Sequence, residues 1–193
     1  MLSLEESLKI LKETKALIEG HFILSSGLHS PKYVQCAQLM SKPSQAAQIC
    51  QSLAKKIKIE LNHIDLILSP AMGGIVVGYE IGKLLGVETI FSERVNGKFQ
   101  LRRDFKIKQD TNVLIIEDVI TTGKSSIECS NLVKVNKANI VGYACIIDRS
   151  DGKTEINDKI ISQIKLNIPT YKKENLPKEL ISIDPVKPGS RNL

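Results

Sequence analysis

The stretch that decides the fold is VLIIEDVITTGKSS, residues 113 to 126. Val113, Leu114, Ile115 and Ile116 are apolar, mostly β-branched and free of polar alternation, which is the composition of a parallel strand buried on both faces. They run directly into two adjacent carboxylates, Glu117 and Asp118. Thr121, Thr122, Gly123, Lys124, Ser125 and Ser126 follow, and then a helical pattern whose inner face is expected to carry Ile127, Leu132 and Val133. The order is strand, phosphate-sized loop, helix N-terminus. The first N–H groups of a helix lack intrahelical partners and sit at about half a positive charge of macrodipole, so an anion accepts bonds that the chain cannot complete by itself. Gly123-Lys124-Ser125 would suit a triphosphate P-loop, but that motif needs a glycine five positions before Gly123, and residue 118 is Asp. Paired acids just ahead of a phosphate loop suit a ligand with hydroxyls or a bound cation near its phosphate, a demand that a sugar phosphate with a free 2,3-diol meets. If the acids only capped the next helix, Asp118 would have a task and Glu117 none.

Outward from this stretch the pattern repeats. Ile64 to Leu68 reads as a buried strand that ends in Ser69, Pro70, Ala71, Met72, Gly73 and Gly74, with a helix over 75–85. The glycine pair admits two readings: close approach of backbone to a ligand, or tight packing of helix on sheet. Val87 to Phe91 makes a further strand. After it, Asn96-Gly97 inside SERVNGKFQLRRDF predicts a hairpin arm projecting from the sheet. Arg94, Lys98, Arg102, Arg103, Lys106 and Lys108 stand against Asp104 alone, which fits a polyanionic substrate, a nucleic acid backbone or a solvated face. Ile140 to Ile147 is the last strong strand and ends at Asp148-Arg149, where an arginine can receive a carboxylate or pair with Asp148 or Asp151.

At the N-terminal side, Ser3 with Glu6 forms a capping box, and Leu4, Leu8, Leu11 and Ile18 predict one helix running to Gly20. Residues 20–40 lack a helical period and read as an irregular loop or a two-strand excursion. Pro43 opens a helix with Ala46, Ile49, Cys50, Leu53 and Ile57 inward and Lys55, Lys56 and Lys58 near its C-terminus. Gln163 to Ile168 is a further strand, and a Pro-punctuated tail from Pro169 to Pro188 carries no functional signal. Alternating β and α with ligand residues at strand ends means an α/β doubly wound parallel sheet. The expected layout is a single domain over 1–193, with a core at about 43–150 and a small hood at about 20–40 plus part of 155–193.

A chain of 193 residues, 42% hydrophobic and 25% charged, suits one domain with a proper core. Glu5 and Glu6 stand where a signal peptide needs positive charge, and no apolar run approaches the roughly 18 residues of a membrane span. A soluble cytoplasmic protein with no membrane partner is expected. Cys36, Cys50, Cys129 and Cys145 lack C-x-x-C spacing and read as buried reduced thiols. His21, His29 and His63 have no partner acid identifiable in the sequence, so ordinary hydrogen-bonded or solvent-facing rings outweigh a general base.

EDVITTGKS resembles the phosphoribosyl pyrophosphate (PRPP) signature of the type I phosphoribosyltransferases. Among these it is most similar to the orotate phosphoribosyltransferases, as are Phe22, Ser25, Ser26, Gly27, Ser30 and Tyr33 to the hood that encloses the base. The resemblance implies Mg²⁺-dependent transfer of ribose 5-phosphate from PRPP to orotate, giving orotidine 5-phosphate and pyrophosphate. It assigns PRPP to Glu117, Asp118, Val119, Ile120, Thr121, Thr122, Gly123, Lys124 and Ser125, and pyrophosphate to Ala71, Met72, Gly73 and Gly74. Orotate falls to Thr121, Arg149 and Ser26, and the arm cations to Arg94 and Lys98. It further implies Mg²⁺ held mainly by PRPP rather than by direct protein ligands, a homodimer with shared sites, and no nucleic acid partner. The chain departs from the family in its arm, which lacks a histidine and has Leu101-Arg102-Arg103. Ser25 replaces the common hood lysine, and Gly73 stands where the pyrophosphate loop often has a lysine. Alternatives are a phosphoribosyltransferase for another base, or a PRPP-sensing regulator of the same fold that binds RNA or DNA.

Overall fold

The computed structural model describes residues 1–24 and 26–188; Ser25 of the hood turn and residues 189–193 lie outside the described residues. In chain order the elements are α1 (Leu4–Glu13), β1 (Leu17–Ile23), β2 (His29–Val34), α2 (Cys36–Met40), α3 (Pro43–Glu60), β3 (Leu66–Pro70), α4 (Gly73–Leu85), β4 (Glu88–Val95), β5 (Lys98–Leu101), β6 (Asn112–Ile120), α5 (Lys124–Val135), β7 (Asn139–Asp148), β8 (Ile160–Lys165) and α6 (Lys178–Ile181). Six strands form one sheet in the order β5-β4-β3-β6-β7-β8, parallel except for β5, which turns back on β4.

The unbroken apolar run of β6 has a direct cause. Leu114 and Ile116 face Ile49, Leu53 and Ile57 of α3 and Val77 and Ile81 of α4, while Val113 and Ile115 face Cys129 and Val133 of α5. With helices on both faces, no position from Val113 to Ile116 meets water, so polar alternation there would bury unpaired groups. Complete burial of Ile49, Leu53 and Ile57 stabilises the layer by about 1.5–3 kcal/mol per side chain.

β3 leads through α4 to β4 on one side, and β6 leads through α5 to β7 on the other. The carboxyl ends of the adjacent strands β3 and β6 therefore form the point where strand order reverses, the place where open α/β sheets hold ligands. Helix α4 reaches the sheet on a row of glycines. A Cβ at Gly74 would stand 3.0 Å from the Ile116 carbonyl, one at Gly78 would strike Ser69 Oγ, and one at Gly82 would strike Thr89 Oγ1. The glycine pair thus has two tasks, because Gly74 serves packing and Gly73 serves the site.

Several element boundaries differ from the sequence expectation. The first helix stops at Glu13 rather than continuing to Gly20: the Thr14 hydroxyl donates to the Ile10 carbonyl at 2.8 Å, and Lys15 turns left-handed at φ 57°. Leu4 and Ile18 are exposed, and Ile18 belongs to β1. The hood is an antiparallel β1–β2 hairpin, and α2 already belongs to the main core through Leu39. The strand after it starts at Leu66 instead of Ile64, α4 starts at Gly73 rather than residue 75, and β8 starts at Ile160 rather than Gln163. The inner face of α5 is Ser126, Cys129, Ser130 and Val133, with Ile127 and Leu132 only partly buried. Small residues win there because the helix lies close to the sheet, where the Ser130 and Tyr143 hydroxyls hydrogen-bond at 2.6 Å. All four cysteines are free and buried.

The Pro-punctuated tail folds back on the hood. The His29 and Tyr171 backbones exchange two hydrogen bonds at 2.8 and 2.9 Å, and Val186 bonds to His21 and Ile23 on the other strand. His21 and His29 are buried between them: His21 Nδ1 donates to the Ile183 carbonyl at 2.8 Å, and His21 Nε2 lies 2.6 Å from His29 Nδ1. The tail braces both edges of a hairpin that alone would be marginal.

The glycine contacts carry a stability test. Gly82→Ala gains about 1 kcal/mol of helix propensity, but its Cβ would stand 2.9 Å from the Val87 carbonyl as well as against Thr89. Overpacking of this kind costs about 1–3 kcal/mol, so urea denaturation is expected to show net loss of stability; a net gain would contradict the close packing of α4.

Candidate functional site

Strand β6 continues through the acids to Ile120, so Glu117 and Asp118 are strand residues at the mouth of a two-sided core. The Ser126 hydroxyl donates to Glu117 Oε2 at 2.5 Å, and the Val119 N–H donates to Asp118 Oδ1 at 3.0 Å. Burial pushes the Glu117 carboxyl up to about 7, against the opposing pull of the Ser126 hydroxyl and reinforced by the neighbouring Asp118. Burial raises Asp118 as well, while backbone N–H groups hold it down. Two acids are thereby partly desolvated side by side, an arrangement that gains from ligand hydroxyls or a cation.

The 71–74 turn comes up against them. A Cβ at Gly73 would stand 2.6 Å from Asp118 Oδ2, so this position is open to the carboxylate because it is glycine. The Ala71–Met72 peptide is cis, and the Ala71 N–H donates to the Ser92 carbonyl at 2.8 Å, tying the turn to β4. The N-terminus of α4 opens at Gly73 beside the acids.

On the other side, Gly123 turns left-handed at φ 79° and caps α5, whose first N–H groups lack helical acceptors. The loop is held from behind: Thr154 donates its hydroxyl to the Thr122 carbonyl at 3.1 Å, and a Cβ on Gly123 would strike Thr154 Oγ1 and Ile156. Thr154 and Ile156 give no sequence signal as site residues, since they lie some thirty positions away in an irregular segment. Thr121, Thr122 and Lys124 are exposed and Ser125 is half-buried. Val119 is half-buried, but the Ile120 side chain is in the core and its carbonyl accepts the Arg149 N–H at 2.8 Å, so Ile120 offers a ligand neither.

Arg149 stands where β7 ends, level with this loop. Neither expected counter-ion takes it: Asp148 accepts from the Ser150 N–H at 2.9 Å, and Asp151 pairs with Lys153. Its Nε is buried without a hydrogen-bond partner, and burial pulls the guanidinium below its ordinary range, with Tyr33 of the hood acting against that. A desolvated arginine with an open donor is a receptor for an anionic group. Phe22 and Tyr33 face each other across the hairpin with ring centroids 5.7 Å apart. Ser26 is exposed at the hairpin turn, its hydroxyl accepting the Leu28 N–H at 3.4 Å.

The arm forms as expected, with Asn96 and Gly97 both left-handed between β4 and β5. Arg94, however, is occupied. It lies 2.9 Å from Glu128 of α5 as an ion pair without hydrogen-bond alignment, donates to the Gly97 carbonyl and covers the Phe99 ring at 4.1 Å. Strand alternation points it toward α5, and Lys98 is exposed.

The chain matches the phosphoribosyl transferase domain family over residues 37–178. It is 46% identical over 190 residues to the orotate phosphoribosyltransferase of Methylorubrum extorquens (strain PA1), covering 98% of this chain and 97% of that protein. Among solved structures, the orotate phosphoribosyltransferase of Aeropyrum pernix superimposes with a TM-score of 0.71 at 23% identity, over 82% of this chain and 92% of that one. An adenine phosphoribosyltransferase from Thermoanaerobacter pseudethanolicus gives 0.61 at 18% identity, over 70% and 88% of the two chains, so the fold alone does not select a base.

The raised Glu117 carboxyl has a measurable sign. Its folded value of about 7 lies above the ordinary 4.5, so the native state holds the extra proton between the two. Native stability therefore falls as pH rises from 4.5 to 7, by roughly 3 kcal/mol at most. Glu117→Gln is neutral throughout and is expected to be more stable than the parent at pH 8 by about 1–3 kcal/mol, with the gap closing near pH 4.5. Urea denaturation at both pH values checks this, and a pH-independent gap would rule it out.

Proposed function

The chain belongs to the phosphoribosyl transferase domain family and, within it, to the orotate phosphoribosyltransferases, and from this we propose how its residues transfer ribose 5-phosphate from PRPP to orotate. The product pair is orotidine 5-phosphate and pyrophosphate, a step of pyrimidine biosynthesis. The observation that carries the assignment of residues is Gly73 lying against Asp118, which joins a glycine turn and a diol-binding acid pair into one site at the switch point.

In this reading the 5-phosphate lies in the 121–125 loop at the N-terminus of α5, fastened by backbone N–H groups and the threonine and serine hydroxyls. Glu117 and Asp118 accept from the ribose 2- and 3-hydroxyls. The 71–74 turn and the start of α4 receive the pyrophosphate. Arg149 takes the orotate carboxylate, with Thr121 and Ser26 near the ring. The orotate nitrogen then forms its bond to the anomeric carbon as the bond from that carbon to the pyrophosphate oxygen breaks, the electron pair leaving with pyrophosphate. Orotate that arrives already deprotonated at that nitrogen requires no general base, which leaves the buried His21–His29 pair to bracing.

Among the described residues no group of three or more His, Cys, Asp or Glu side chains is gathered as a cage for a metal ion. The acid pair supplies carboxylate oxygens and no more, a donor set that suits Mg²⁺ carried mainly by PRPP. Bound there, Mg²⁺ would neutralise charge on the departing pyrophosphate. No helix among the described residues is long and apolar enough to cross a membrane. The cytoplasmic location, the homodimer and the lack of a nucleic acid partner proposed here rest on the family resemblance.

The purified protein, given PRPP and Mg²⁺, is expected to consume orotate and not adenine, hypoxanthine, guanine or uracil, as followed by loss of base absorbance; turnover of another base instead would move the assignment. Arg149→Ala should raise the KM for orotate about ten- to a hundred-fold, the scale of a lost charge-assisted contact, with little change for PRPP. Gly73→Ala places a methyl against the Asp118 carboxylate and should raise the KM for PRPP while leaving the unfolding midpoint near that of the parent. An unchanged KM would mean that Asp118 does not meet the ribose.

A further inference from the structure

The tail holds the hood hairpin along both of its free edges. Against β2, the His29 N–H donates to the Tyr171 carbonyl at 2.8 Å and the Tyr171 N–H donates back at 2.9 Å. Against β1, the Val186 N–H donates to the His21 carbonyl at 2.8 Å and the Ile23 N–H to the Val186 carbonyl at 2.9 Å. The histidines of the two strands meet with ring centroids 4.9 Å apart, and their exposure is only 4% for His21 and 6% for His29.

A carbonyl can only accept, so His21 Nδ1–H is the donor to Ile183, and this fixes the tautomer. Neutral His21 then has a bare Nε2, which accepts from His29 Nδ1–H over 2.6 Å. The donors run in line from His29 to His21 to the tail. One added proton is compatible with this line, because either nitrogen of the contact can donate as long as the other is bare. A second is not: two charged rings set an N–H against an N–H at 2.6 Å. No counter-ion relieves the pair, since of the three histidines only His63 has a carboxylate partner among the described residues. The charged groups of β1 and β2 are Glu19 and Lys32, 3.5 Å apart, with Lys12 also 3.1 Å from Glu19. On the tail, Tyr171 is half-buried, and Lys172, Lys178, Glu179, Asp184 and Lys187 are exposed.

The clasp connects to the base site through the hairpin. Val186 pairs with Phe22, the Phe22 ring lies 5.7 Å from that of Tyr33, and Tyr33 is near enough to Arg149 to act on its charge. We propose that His21 and His29 are positioning residues for the base: their shared hydrogen bond clasps the tail to the hood, and protonation of both rings releases it, so that acid weakens the hold on orotate. The link to orotate rests on the transferase reading above; the clasp itself does not.

Amide hydrogen exchange follows the clasp without turnover. Between about pH 8 and about pH 5, the span in which imidazole charges, the amides of Ile23, His29, Tyr171 and Val186 are expected to lose protection by about ten-fold, after correction for intrinsic rates, relative to Val113 to Ile116 in the core. His29→Gln keeps an N–H for His21 and takes up no proton, so its tail amides should stay protected at the acid end. At saturating PRPP, the KM for orotate should rise in the acid parent by the inverse of the clasped fraction and stay level in His29→Gln. The pH response of PRPP follows the Glu117 carboxyl, pushed up to about 7, and should be alike in both proteins. Tail amides that stay protected in the acid parent, or that lose protection equally in His29→Gln, would overturn the clasp. Release of the tail with no rise in the KM for orotate would refute the positioning role. If the parent consumes no orotate at all, the transferase reading falls, and the exchange rates still decide the clasp.

Discussion

Placing two carboxylates at the end of a strand that is buried on both faces is the constraint on which the other parts of the site depend. Each acid loses hydration there, and a desolvated carboxylate is tolerated only where donors replace water. Ser126 and the Val119 N–H are those donors within the chain. The residual deficit, visible in the Glu117 carboxyl pushed up to about 7, is what a sugar diol can satisfy. The core therefore does more than hold the sheet together: it makes the acids receptive.

The two loops around the acids are shaped by close packing and by contacts from behind. Gly74, Gly78 and Gly82 let α4 lie close enough to the sheet for its first turn to reach the site, and Gly73 leaves the gap that the Asp118 carboxylate fills. Thr154 and Ile156 pin the opposite loop at Thr122 and Gly123. The hood depends in the same way on the tail, which pairs with both of its strands and meets His21 at Ile183. Helix termini bind anions only if they are held still, and in each case a long-range contact does the holding.

Legibility differed by the range of the physics. The strand–acid–loop–helix order at 113–126 was plain, as were the inner face of α3, the capping box at Ser3 and the hairpin at Asn96-Gly97, because each depends on neighbours a few residues apart. The end of the first helix was misplaced because apolar periodicity carried on through Ile18, while the stop came from the Thr14 side chain and a left-handed Lys15. On the inner face of α5 Val133 stands as expected and Ile127 and Leu132 pack against the core only in part, because the close approach to β7 gives the most buried positions to serine and cysteine. Arg94 looked like a free arm cation until strand alternation turned it onto Glu128.

What the sequence by itself determined is the set of local devices: a buried parallel strand, a pair of acids, two loops able to hold anions, an arginine at a strand end and enough resemblance to name the family. Only the tertiary structure decided how these devices meet. The reversal of strand order sets the loops after β3 and β6 side by side, Gly73 opens onto Asp118, Arg149 is left with a buried unpaired donor, and Arg94 is held against Glu128. The reason is that hydrogen-bonding capacity and hydrophobic period reside in each residue and its near neighbours, whereas desolvation and charge pairing depend on what the rest of the chain brings against it.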